Sequence, residues 1–523
     1  MTDRTDSATP ENSGWILVAM ILGSSLAFID GTVVHVALPF LQADLNASAT
    51  GVQWIVQAYS LFLASLILVG GSLGDRLGRR RLYVVGVVIF TVASIIAAVA
   101  PNLETLVGAR VLQGVGGAML IPGSLAIISA LWSGTARGAA IGTWAGFTSI
   151  TSAIGPALGG FLVEQFSWRA VFWINVPIAI IVVIACAKVP ETKDAQATGR
   201  IDWPGAALIT LALGSAVYGF TEAAASGWTD TVTLIALAGA VVSGAAFVVV
   251  ERRTREPMVE LSLFRSSTFT GANLLTLLLY AGLSAGLYYL PFNLVQVQGY
   301  GATAAGAAVL PFALIMFAGS RWAGGLIGQF GARLPLTVGP AVVGVAFLIF
   351  AIIGVGGSYW ISVFPAMVTL GIGMTITVAP LTTTVMNAVD SRHSGLASGI
   401  NNAVSRAGGV LAIAVFSILM VGTFSASLDE DLGQLSLPDS ARAEIAMSQD
   451  QLAALPTPES LDAEQGAGLR ESVEGAFVDG FRAVMIGCAL IAFLSAGIAA
   501  VMVKEREAVD CDTPSPCPIS QPG

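Results

Sequence analysis

Apolar residues come in runs of about twenty along the chain, and short polar stretches separate them. A helix rises 1.5 Å per residue, so about 20 residues cross roughly 30 Å of hydrocarbon. Fourteen runs reach that length. Six cover residues 15–39, 54–74, 82–100, 104–132, 138–163 and 171–190. Two cover 204–222 and 232–250, and the last six cover 269–293, 304–328, 334–354, 359–385, 396–421 and 480–503. The pattern predicts an all-α integral membrane protein with fourteen transmembrane helices.

Composition narrows the classes. Of 523 residues, 55% are hydrophobic and 11% are charged, where a soluble domain carries roughly 25% charged residues. Mean hydropathy is +0.80. A water-soluble enzyme is excluded, and so is disorder over most of the length. The net charge of −9 is local. Residues 423–478 hold eleven acids against Arg442 and Arg470, which accounts for the whole excess. Without a basic stripe, nucleic-acid binding has no support. Cys186 and Cys488 lie in apolar runs, while Cys511 and Cys517 lie in the C-terminal tail at no common zinc spacing. No metal or cofactor is expected. The first apolar run lacks a basic leader and reads as an uncleaved span.

Lys and Arg fix the expected orientation. With the N-terminus inside, seventeen fall in inner segments and four, Arg169, Arg442, Arg470 and Arg482, in outer ones. Both termini are therefore expected in the cytoplasm. The acidic stretch 423–478 falls outside and reads as a solvated loop. A second reading makes it a cap over an outward opening, with a helix starting at Pro438-Asp439-Ser440. GGSLGDRLGRR (70–80) after span two is echoed by GGLIGQFGAR (324–333) after span ten. Such an echo predicts two related six-span halves around an inserted pair.

Gly71-Ser72-Leu73-Gly74-Asp75-Arg76-Leu77-Gly78-Arg79-Arg80 resembles the loop motif of the major facilitator superfamily. Arg110-Val111-Leu112-Gln113-Gly114 resembles its second motif, and Gly155-Pro156-Ala157-Leu158-Gly159-Gly160 its antiporter motif. Phe28 to Pro39 and Trp168 to Pro177 are similar to the fourteen-span drug:proton antiporters, the EmrB/QacA type. His35 stands where that group has Asn, and Gln329 stands where the echoed loop motif would have an acid. The resemblance implies the major facilitator fold, two six-helix bundles plus two inserted helices. Its divisions are a tail at 1–14, a bundle at 15–190, the inserted pair with its loops at 191–268, a second bundle at 269–503 and a tail at 504–523.

Charges inside spans are functional candidates by default. Asp30 and Arg110 sit at matching depth, ~10–12 Å from the outer ends of antiparallel spans one and four. They are expected to pair and to couple transport to protons. Gly71, Gly74, Asp75, Arg76, Gly78, Arg79 and Arg80 are expected to gate. Gly155, Pro156, Gly159 and Gly160 would bend and pack span five. Arg406 is mid-membrane if span thirteen starts near Leu396 and snorkels to the inner face if it starts near Ala403. Arg321 is expected to snorkel, Glu222 and His35 to sit at interfaces, with a proton relay the other reading of His35, and His393 to be an ordinary loop residue.

The resemblance implies a cavity between spans one, four, nine and twelve. Candidate liners are Gln113, Asn273, Tyr280, Tyr288, Asn293, Met374 and Thr377. The expected function is proton-coupled export of amphiphilic drugs or antibiotics by alternating access. A lipid or endogenous-metabolite exporter is the alternative. A sensor is disfavoured by Asp30, an ATP-driven pump by the missing phosphate-loop motif, and a membrane enzyme by the lack of a catalytic cluster. Expected partners are the cargo, protons and the lipid bilayer, with the chain working as a monomer. Arg outnumbers Lys 21 to 3, which points to a GC-rich bacterial source and a place in the inner membrane.

Overall fold

The computed structural model describes residues 12–132, 134–193, 202–254, 257–389, 394–435 and 437–504. The first part is α1 (Ser13–Leu45), α2 (Ala49–Leu77), α3 (Arg79–Ala98), α4 (Leu103–Leu131), α5 (Gly134–Gln165), α6 (Ala170–Trp173) and α7 (Asn175–Cys186). Then come α8 (Trp203–Ser226) and α9 (Thr231–Arg253). The rest is α10 (Ser267–Phe292), α11 (Ala302–Ala307), α12 (Leu310–Ala323), α13 (Leu326–Phe330), α14 (Arg333–Ala351), α15 (Val363–Asn387), α16 (Ser394–Gln434), α17 (Asp439–Ser448) and α18 (Ala463–Met502). Among the described residues there is no strand, and twelve helical stretches are long and apolar enough to cross a membrane. In hydrocarbon a helix satisfies its own backbone, which is why such runs fold this way. Starts are marked in the sequence. Ser48, Asn102, Asp202 and Asp230 each cap the helix that follows, and Asp462 with Gln465 forms a full capping box.

Helices α1–α7 pack on one another as one bundle, and α10–α18 as a second. The bundles meet where α16 crosses α2, where α11 and α12 lie on α5, and where α10 touches α1. The inserted pair packs α9 on α8, and α8 touches both α2 and α16. It therefore sits on the seam between the halves. Its outer helix is left to lipid, with Val241 72% and Val242 68% exposed. One end of the molecule carries the α2–α3 turn with its arginines. The other carries the acidic stretch. They are called here the basic and acidic ends.

Three expectations change. The run at 304–328 is three pieces, α11, α12 and α13, because Pro311 and the Gly324-Gly325 pair interrupt it. The run at 171–190 is the broken pair α6–α7, with Pro177 in the first turn of α7. The acidic stretch is not a loop. Helix α16 runs on to Gln434, α18 begins at Ala463, and α17 and a 3-10 turn at Gln449–Ala454 lie between. The predicted start at Asp439 stands, without a side-chain cap. Cys186 and Cys488 are buried and free. Most of the N-terminal tail, the C-terminal tail with Cys511 and Cys517, His393 and the Arg321 side chain lie outside the described residues.

Candidate functional site

Asp30 and Arg110 meet in the middle of the first bundle. Arg110 Nη1 donates to Asp30 Oδ2, and both side chains are almost wholly out of solvent, at 1% and 0% exposure. Each has further partners. Arg110 Nε donates to the Ile55 carbonyl at 2.8 Å and Nη1 also to Gln113 Oε1 at 2.7 Å. Its guanidinium carbon lies 4.4 Å over the Tyr59 ring. Asp30 Oδ1 accepts from Gln113 Nε2 at 3.0 Å and Asn175 Nδ2 at 3.3 Å. Both amides also donate to Ser94 Oγ. Five elements thus contribute to one polar knot: α1, α2, α3, α4 and α7. Such a knot is stable only while every member has a partner.

Gln113 was expected on a cargo wall. It lies instead inside this knot, fully buried, because the Arg110 and Gln113 positions are one helical turn apart on α4. Asn175, Ser94 and Tyr59 were not singled out from sequence. Asn175 carried a signal, a lone amide at the start of an apolar run within the Phe172–Pro177 motif.

The second bundle faces this knot with Arg406. That residue does not snorkel. It lies within electrostatic reach of Tyr59 from α16. No hydrogen bond or ion pair forms to it among the described residues. His35 is not interfacial either. It packs edge-on against Tyr288 of α10, ring centroids 6.4 Å apart, on the seam between bundles. Glu222 accepts from Ser226 at 2.6 Å near the acidic end of α8.

The expected cargo residues scatter. Tyr280 lines a cavity of about 60 Å³ with Thr382, Ser398, Asn401, Asn402 and Ser405. Asn273 borders this region, because Asn401 donates to it. Tyr288 lines a second cavity of about 10 Å³ near the acidic end, with Gln42, Gln53, Tyr289, Phe292 and Leu452. Asn293 is buried in the π-helical turn after α10. Met374 is in the core, and Thr377 donates to Gly373 and packs against Gly339 of α14.

The acidic end is closed. A Cβ on Gly160 would lie 2.1 Å from the Ala302 carbonyl, so α5 and α11 touch only because glycine stands there. Gly155 and Gly159 bring α5 close to Thr32 and Val33 of α1, and Pro156 approaches Gly306. Gln42 donates to the Gln451 carbonyl and accepts from Gln296, joining the acidic segment to both bundles. Outside the seam, Asp44 ties α1 to the α5–α6 turn through Trp168 and Arg169.

At the basic end Asp75 pairs with Arg79 at 2.8 Å, and Arg79 reaches the Ala126 carbonyl of α4. Between them Gly78 has φ +113, a conformation open to glycine. Glu191, absent from the sequence reading, accepts from the Arg80 and Arg81 backbone N–H groups. It occupies the N-terminus of α3, where an anion is favoured. Arg80 in turn donates to the Val189 carbonyl. Gly71 and Gly74 lie on α2 in ordinary contact with α4 and α3, and Arg76 is in the last turn of α2.

A family model described as Major Facilitator Superfamily matches residues 20–413. A Streptomyces glaucescens protein named Tetracenomycin C resistance and export protein is 30% identical, over 97% of this chain and 95% of its own. A Mycolicibacterium smegmatis protein named Multidrug efflux pump LfrA is 31% identical, over 95% of this chain and 97% of its own. Among solved structures, an inward-facing, unoccupied bacterial homologue of the human lysosomal transporter Spinster superposes with a TM-score of 0.62. It covers 96% of this chain and 100% of its own at 17% identity, a likeness of fold.

Proposed function

The chain belongs to the major facilitator superfamily, and from that premise we propose that it is a proton-coupled antiporter exporting amphiphilic drugs or antibiotics by alternating access. The observation that carries the reading is the buried Asp30–Arg110 pair. A carboxylate so placed is expensive unless it works, and a proton is the smallest ligand that could discharge it. Relatives named for drug and antibiotic resistance support the cargo class. The protein is a multi-pass protein of the bacterial inner membrane.

The finer reading is of the EmrB/QacA type, with fourteen spans. Helix α5 and the α6–α7 pair, added to the twelve apolar helical stretches, would complete that number. The basic end then faces the cytoplasm with both termini, following the arginines of the α2–α3 turn. No cofactor enters, and the chain acts as a monomer. In the cycle, Asp30 takes a proton only when Arg110 turns away from it. Arg110 has other acceptors, the Ile55 carbonyl and Gln113, and so can give up the carboxylate without standing alone. Asp75 and Arg79 would hold the basic-end hinge in one of its two gating states.

The test is proton-driven uptake of a fluorescent amphiphile into inside-out vesicles. Asp30→Asn abolishes it while the protein stays inserted and folded, as judged by a cooperative unfolding transition. Wild-type uptake in that variant overturns the proposal.

A further inference from the structure

Two more carboxyl groups are buried together, far from the central knot. Asp202 caps the basic end of α8, and its Oδ1 accepts the Gly205 N–H at 2.8 Å. Glu251 lies one turn from the basic end of α9, and its Oε2 accepts the Val259 N–H at 3.1 Å. Asp202 is 8% exposed and Glu251 3%. Among the described residues their other oxygens, Asp202 Oδ2 and Glu251 Oε1, have no partner. These oxygens converge. A Cβ on Gly205 would lie 2.4 Å from the first and 2.9 Å from the second, so the two oxygens face one small space, and Asp202 acts directly on Glu251. Arg252 and Arg253 follow on α9 but are exposed, as is Arg265. Glu260 accepts from Ser262. Among the described residues no charge from α2 or α16 acts on Glu251; Asp202 alone does.

Two carboxylates facing one small space, out of water and with no donor to these oxygens among the described residues, repel each other strongly. Burying either unpartnered oxygen also costs free energy. One proton removes both penalties, because a carboxyl group donates where a carboxylate only accepts. We propose that Asp202 and Glu251 bind one proton between them, forming a second proton site distinct from Asp30. Its place gives it a consequence. Asp202 begins the helix that touches both bundles. Glu251 holds the segment that leads from the inserted pair into α10. The shared proton fastens that connector to the base of the wedge. Its loss drives the two apart and frees the inserted pair to shift on the seam. This site stands on its own geometry and does not depend on the transport reading.

The experiment is infrared difference titration of the purified full chain in lipid nanodiscs, between about pH 6 and pH 9. The wild type shows the carbonyl band of one protonated carboxyl group, which fades as pH rises. Glu251→Gln and Asp202→Asn each abolish that component. The pair keeps a proton that the same side chains release once separated in the unfolded chain. Stability therefore falls as pH rises through the titration. The unfolding temperature declines with pH in the wild type. It is flatter in Glu251→Gln, whose amide donates permanently to Asp202. A wild type without a carboxyl band near neutrality overturns the proposal whether or not the variants fold. So does a band unchanged in both variants. So does a band removed by millimolar calcium or magnesium together with a rise in unfolding temperature, which would make this a cation site.

Discussion

At the scale of residues, the central knot is a problem of mutual satisfaction. Removing one partner of a buried ion pair leaves the other charge uncompensated, at about 3–5 kcal/mol. Removing both charges does not. Arg110→Gln is therefore expected to lower the unfolding temperature sharply, since Asp30 keeps only Gln113 and Asn175 as donors. Arg110→Gln combined with Asp30→Asn is expected to recover at least half of that loss while remaining inactive in transport. Thermal unfolding in detergent separates the two effects, and equal destabilisation in the single and double variants would contradict the coupling. Asp30 and Arg110 could be read from sequence because charges in apolar runs are conspicuous and helical rise fixes their depth. Ser94 and Asn175 could not. A neutral polar side chain in a span can satisfy itself on its own helix, as Ser94 also does on the Phe90 carbonyl. Pattern alone does not tell which amide turns toward a charge.

At the scale of elements, each end of the molecule has a fastening. Asp75 neutralises Arg79 across the α2–α3 turn at the basic end. Asp75→Asn is expected to slow turnover several-fold with cargo affinity unchanged, since it biases the gating states rather than touching cargo. Binding and transport measured separately decide this. At the acidic end the fastening is Leu452, 6% exposed and held at φ 54 and ψ −127. A non-glycine residue in that region is strained and persists only when its surroundings hold it. Here it lines the small cavity together with Tyr288, Tyr289, Phe292 and Gln53. Leu452→Ala is expected to weaken this seat by about 2 kcal/mol. A cysteine placed at Gln53 should then react faster with an impermeant thiol reagent added from the acidic side. An unchanged labelling rate would show that Leu452 does not close the route. The helical nature of this end was legible but masked by charge. Met420, Phe424, Leu428 and Leu432 recur every four residues and are buried. They continue the apolar stripe of α16 beyond the run at 396–421 to meet the Leu469, Val473 and Phe477 stripe of α18. Counting only hydrocarbon-length runs stops each helix too early.

At the scale of the whole molecule, the charge at the centre is expected to select the cargo. Among the described residues the mid-depth groups are Asp30, Arg110 and Arg406, and only one is an acid. Arg406 could be read in the sequence as a charge in a span, but not as facing the other bundle. Its position depends on how α16 crosses α2, which no local pattern encodes. With Asp30 closed on Arg110, the second bundle presents an unpaired cation. Energetics favour the same cargo. One inward proton supplies about 2.3 kcal/mol per 100 mV and about 1.4 kcal/mol per pH unit. At roughly 100 mV and one pH unit, that is ~3.7 kcal/mol, enough for a several-hundred-fold gradient of a neutral compound. A dication leaving against the same potential costs ~4.6 kcal/mol before any concentration gradient. A single proton does not cover that, whereas the potential assists an anion on its way out. Neutral and anionic amphiphiles are therefore expected to be exported better than matched monocations, and dications least of all. Arg406→Ala is expected to lower the preference for anions over neutral analogues by several-fold while leaving neutral export intact. Efflux of a matched series differing only in charge, with proton stoichiometry recorded, checks both expectations. Equal export of the dication on one proton, or an anion preference unchanged in Arg406→Ala, would mean that the central charges do not choose the cargo.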